Sequence, residues 1–166
     1  MRSAEARGIG MVASLGLTAA LLVACAAGTS GGSEATVEHP FETILSQAHS
    51  GIREPRREVI RDEASWARLW AEIHAVVTPA PPLPPVDFAQ HMLIAVALGQ
   101  RQSGGFGVKV RGVASRGERL EVSVAESCPA AGAMVTMSLT QPVEVVRVAR
   151  LAQTPSFKET RAATCR

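Results

Sequence analysis

Met92 to Ser115 reads MLIAVALGQRQSGGFGVKVRGVAS: an apolar run, a glycine-rich turn and an alternating run. Met92 to Leu98 is continuously apolar and short, the pattern of a strand covered on both faces. Val108 and Val110 alternate with Lys109 and Arg111, the pattern of a strand with one wet face. The spacing predicts a β-hairpin at the centre of a sheet. In its turn, Gly104, Gly105 and Gly107 permit positive φ around Phe106. A lone aromatic held by glycines on a loop is either a packing plug, which is the favoured reading, or a presented contact.

Upstream of this stretch, Glu58 to Arg61 reads as a strand leading to Asp62, a good helix N-cap. Trp66, Leu69, Trp70 and Ile73 then follow at helical spacing. An amphipathic helix of about four turns is expected, with Trp66, Leu69 and Trp70 on its core face. Thr78 to Pro85 (TPAPPLPP) stops it and predicts a stiff, extended crossing loop. The PxxP pattern within it reads as a spacer in preference to a ligand for a proline-reading domain.

Downstream, Leu120, Val122 and Val124 alternate with polar residues. A loop at Cys128–Gly132 follows, and Val135, Met137 and Leu139 predict another strand. Val143 to Arg150 reads as the last strand. Its apolar phase slips between Val145 and Val146, which suits a β-bulge or burial on both faces. The remainder reads as a polar tail. The fold class expected is therefore α+β: a small, mainly antiparallel sheet, a meander of about five strands, packed by one amphipathic helix.

With 166 residues, 46% of them apolar, the chain has room for one ordinary domain. Seventeen Lys+Arg against fifteen Asp+Glu leave a formal charge of +2, which gives no basis for nucleic-acid binding. The dense run from Arg53 to Arg68 mixes both signs and reads as a solvated face.

Residues 1–24 have the layout of an export signal, with Arg2 and Arg7 before an apolar stretch from Ile9 to Val23. That stretch is short for a bilayer-spanning helix, which needs about 20 residues. Leu22-Val23-Ala24-Cys25 resembles the lipobox of a bacterial lipoprotein. The resemblance implies that the Cys25 thiol carries lipid, that the protein is anchored in the cell envelope, and that its folded part is extracytoplasmic. Ala26 follows where an aspartate would resemble an inner-membrane retention signal, so the outer membrane or cell surface is expected. Residues 25–38, small and polar, read as the lipidated cysteine and a flexible tether, and residues 39–166 as a single domain with a C-terminal tail. Assigning Cys25 to lipid leaves Cys128 and Cys165, which are expected to form a disulfide in an oxidising compartment. His39, His49, His74 and His91 show no metal-ligand spacing, so no metal and no cofactor are expected.

The chain has no G-x-S-x-G, no H-E-x-x-H, no phosphate loop and no tyrosine. Ser103 with His91 and Asp87 is a weak triad candidate, and no catalytic residue is expected.

The succession of Trp66-x-x-Leu69-Trp70, Val86-Asp87-Phe88, Met92 to Leu98, Gly99-Gln100, Ser103-Gly104-Gly105-Phe106 and Thr140-Gln141-Pro142 resembles the PrcB C-terminal-domain family of exported bacterial proteins, over roughly Val59 to Arg150. The family takes its name from a non-catalytic subunit that supports a surface chymotrypsin-like protease complex. The resemblance implies a non-enzymatic accessory role and an exported protein partner, with a protease as one class. Where such proteins often carry Thr-Gly-Gly-Tyr, this chain has Ser103-Gly104-Gly105-Phe106, so no tyrosine hydroxyl role carries over. The hairpin at Ser103, Gly104, Gly105 and Phe106 is the expected contact. The alternative is a small-ligand or envelope-carbohydrate binder with a groove beside the Trp66 helix.

Overall fold

The computed structural model describes residues 35–163 and 165. In chain order these residues form β1 (Thr36–Glu38), β2 (Phe41–Gln47), β3 (Arg56–Ile60), α1 (Glu63–Ile73), β4 (His91–Ala97), β5 (Gly107–Arg116), β6 (Arg119–Ser127), β7 (Val143–Ala149) and β8 (Pro155–Arg161). The protein is mostly β-sheet with one short helix, an α+β fold. Its strands make two four-stranded sheets, ordered β1-β5-β6-β8 and β2-β7-β4-β3. The five-strand meander is corrected accordingly.

β4 explains the layering. Met92, Ile94 and Val96 on one of its faces join Val146 and Val148 of β7, and pack against Val108, Val110 and Val113 of β5 and Leu120, Val122 and Val124 of β6. Leu93, Ala95 and Ala97 on the other face join Val143 and Val145 beneath Trp66, Leu69, Trp70 and Ile73 of α1. A strand between a helix and a second sheet has no wet face, and its sequence is correspondingly apolar throughout. β7 shares that position. The phase slip at Val145/Val146 is burial on both faces; the register shift in its pairing lies on β2, between Thr43 and Leu45. A second shift, between Val110 and Gly112 of β5, changes the strand's phase so that Val108, Val110 and Val113 all face the core.

Asp62 caps α1, accepting from the Ser65 amide at 2.8 Å and the Ser65 hydroxyl at 2.9 Å. These two bonds, the amide's foremost, hold its carboxyl below the ordinary value. The helix runs eleven residues, three turns instead of four. The Pro-rich segment after it folds back as a strap: the Trp66 indole donates to the Pro84 carbonyl at 3.0 Å and the Trp70 indole to the Pro81 carbonyl at 2.9 Å. Both rings are buried. Burying one such side chain contributes about 3 kcal/mol.

Four further expectations are corrected. Met92 to Ser115 is not a hairpin, because β4 and β5 lie in different sheets and residues 98–106 cross between them. Val135 to Leu139 is not a strand; it belongs to a loop that carries an isolated β-bridge, Arg101–Thr140. The last three residues assigned to the tether form β1, paired with β5. The tail contains β8, which pairs in parallel with β6 and places Phe157 against the core between the sheets.

Candidate functional site

The crossover leaves β4 with the Leu98 amide bonded to the Pro142 carbonyl at 3.0 Å, and turns at Gly99, whose φ is +72°. A Cβ there would lie 2.6 Å from the Arg53 carbonyl oxygen, so the turn needs glycine for both conformation and space. Arg101 and Thr140 exchange two backbone bonds of 2.8 and 3.0 Å. The Thr140 hydroxyl donates to the Ser103 carbonyl at 2.8 Å, and the Gly104 amide donates to the Thr136 carbonyl at 2.9 Å. The crossover is thus stitched to residues 128–142. Gly105, at φ +84°, lies so close to this loop that a Cβ would meet Pro129 at 2.9 Å and Val135 at 3.1 Å.

The stitched loop carries no charged residue between Cys128 and Pro142. It points apolar side chains outward: Met134 is fully exposed, Met137 is 89% exposed and Leu139 49%. The alternation of Val135, Met137 and Leu139 looks strand-like in sequence, yet Met137 and Leu139 face water. Phe106, by contrast, is half-buried against the core between the sheets, with the Arg101 guanidinium carbon 5.9 Å from its ring centroid. The Ser103 hydroxyl donates to the Gly104 carbonyl at 3.2 Å.

Beside Phe106 lies a cavity of about 460 Å³, bordered by Arg101, Pro129, Glu126, Arg161 and the Cys128–Cys165 pair, whose sulfurs are 1.98 Å apart. Glu126 is buried at the end of β6. It accepts from Arg57 at 2.9 Å and from the Arg161 Nε at 3.0 Å, while Arg57 also reaches Glu159 at 2.9 Å. These bonds tie β3 of one sheet to β6 and β8 of the other.

Other candidate residues are scattered. His91 opens β4 and Ser103 lies beyond its far end, and a seven-residue strand alone spans about 23 Å, so the Ser103, His91 and Asp87 triad does not assemble. Asp87 instead accepts from the Ala89 amide at 2.9 Å. His39 Nε2 lies 2.7 Å from the Ser115 hydroxyl oxygen, and His74 packs tilted against Trp70 with centroids 4.3 Å apart. Among the described residues no three His, Cys, Asp or Glu side chains gather for a metal, and no helix is long and apolar enough to cross a membrane. On the side of α1 expected to hold a groove beside Trp66 runs the proline strap, whose Pro84 and Pro81 carbonyls accept from the two indoles. Cys25 and the export signal lie outside the described residues.

Residues 92–149 match the PrcB C-terminal family. The match begins with Met92 of β4 and ends with β7. It takes in the crossover and the methionine-bearing loop, and leaves out α1 and β8. It spans about a third of the chain. No curated protein and no solved structure matches. The matched segment therefore contains the strands buried on both faces, together with the glycine crossover that the loop rests on.

Proposed function

We propose that this chain is a non-enzymatic accessory module, held to the cell envelope by lipid on Cys25, that binds another exported protein through the Met134, Met137 and Leu139 loop braced on Ser103, Gly104 and Gly105. The observation that carries the reading is the uncharged loop with methionines held in water. Apolar side chains kept exposed by a defined set of backbone bonds lose that exposure when a partner covers them. Methionine suits such a surface because its unbranched thioether adapts to the opposing shape. The PrcB C-terminal match supports an accessory role, and the family's name points to a protease as the partner class. Phe106 serves the face from beneath, as a plug between crossover and core. The tether after Cys25 lifts the domain clear of the head groups of the outer membrane or cell surface.

The test is crosslinking in intact cells followed by purification of the full-length protein. Wild type should bring down one envelope protein in stoichiometric amount. The Met134→Asp/Met137→Asp variant should lose it while melting at the wild-type temperature, and Arg116→Glu should keep it. Equal recovery by the Asp variant would overturn the reading. Incorporation of labelled palmitate into wild type and not into Cys25→Ser tests the anchor; an unlabelled wild type would remove it.

A further inference from the structure

We infer that the cavity beside Phe106 is a carboxylate subsite of the partner-binding face, which takes a carboxylate of the bound polypeptide with an apolar side chain next to it. The inference rests on the proposed partner-binding role and adds to it the chemistry of the partner.

Charge is the first argument. Among the described residues Glu126 is the one carboxylate lining the cavity, and it is already neutralised, by Arg57 at 2.9 Å and Arg161 Nε at 3.0 Å. Arg101 has no carboxylate within 4 Å among the described residues; its guanidinium donates only to the neighbouring Gln100 carbonyl, at 3.5 Å. Arg161 engages Glu126 through Nε alone, and its side chain is 64% exposed, so its terminal amino groups remain for another acceptor. Two guanidinium groups thus face one volume with donors to spare, in the fork geometry that carboxylates fit.

Shape is the second. Phe106, Pro129 and the Cys128–Cys165 disulfide give the cavity an apolar wall, and about 460 Å³ is the size of a small-ligand site, enough for one carboxylate with one side chain. Arg101 lies over the Phe106 ring, which steadies its guanidinium at the mouth without consuming its donors. Continuity is the third. Pro129 belongs both to the cavity wall and to the loop that presents Met134 and Met137, so a polypeptide lying on the methionines reaches the cavity with its next residues. That continuity favours a polypeptide over a free metabolite.

The experiment titrates the full-length protein in detergent with N-acetylphenylalanine, and with N-acetylphenylalaninamide as the uncharged control, followed by calorimetry or amide chemical shifts. The acid should bind saturably, with the amide and the Arg101→Gln variant each weaker by about tenfold, the loss expected for one charge-assisted pair. Arg116→Gln, remote from the cavity, should bind as wild type does. Equal binding of acid and amide, unchanged binding by a folded Arg101→Gln variant, or no saturable binding of the acid would each overturn the subsite. The probe is read on the isolated protein, so its failure leaves the methionine face standing. Unchanged partner capture by the Met134→Asp/Met137→Asp variant removes that face without altering the titration.

Discussion

Lys109→Met isolates the more deeply buried of the two glutamates buried among the described residues, Glu144. Glu144 is 1% exposed, and its carboxylate accepts from the Lys109 ammonium at 2.9 Å and from the Val110 amide at 2.6 Å. Methionine keeps the aliphatic stem and removes the charge. Breaking a fully buried ion pair costs about 3–5 kcal/mol, because the remaining charge has lost its partner. The Lys109 side chain is 48% exposed, so water replaces part of what is lost, and the Val110 amide stays; about 2 kcal/mol is the expected destabilisation. For a folded unit of this size that is a fall of roughly 7 °C in melting temperature. Adding Glu144→Gln removes the stranded charge but leaves a carbonyl oxygen for Val110, and should restore stability to within about 1 kcal/mol of wild type. Urea denaturation of wild type, both single variants and the double variant gives the coupling directly. Lys109→Met within about 0.5 kcal/mol of wild type, or a double variant no more stable than Lys109→Met, would refute the reasoning.

Cys165→Ser should lower stability by about 3 to 4 kcal/mol, from the loop between Cys128 and Cys165 that it opens, and wild type in reductant should melt where the variant does; a melting temperature insensitive to reductant would count against a formed bond. Gly105→Ala should cost about 2 kcal/mol in thermal unfolding, since alanine is strained at positive φ and its Cβ meets Pro129. Burial holds the His74 imidazole below its ordinary pKa of 6.5. The unfolded chain therefore takes up a proton first, and the stability His74 provides is present above about pH 6.5 and lost as pH falls through its folded value. Urea midpoints at pH 7.5 and pH 5 should separate more for wild type than for His74→Asn.

β4 was legible because burial on two faces leaves a mark that no half-exposed strand carries. Asp62 and the spacing of Trp66, Leu69, Trp70 and Ile73 likewise marked the start and face of α1. Sheet membership was not legible. Two strands flanking a glycine turn look the same whether they pair with each other or part into separate sheets, and only their other partners, β3 and β7 for β4 and β1 and β6 for β5, decide it. The loop at Met134 to Leu139 misled for a related reason: alternation reports which side chains would share a face, not whether a neighbouring strand exists. β8 was hidden because Phe157 is its only large apolar residue and its partner β6 lies upstream and runs parallel. Phe106 was legible as a plug, and the loop it helps to brace was not.

The strand order also fixes when the protein can fold as it is made. Of all the pairings, β5 with β6 joins immediate neighbours, while β2 waits for β7 and β6 waits for β8. The second sheet stays incomplete until Ala149 has been made and the first until Arg161. Contacts so distant in sequence also close slowly. Each sheet is thus completed by a strand made long after its first ones, and the order of synthesis becomes the order of closure.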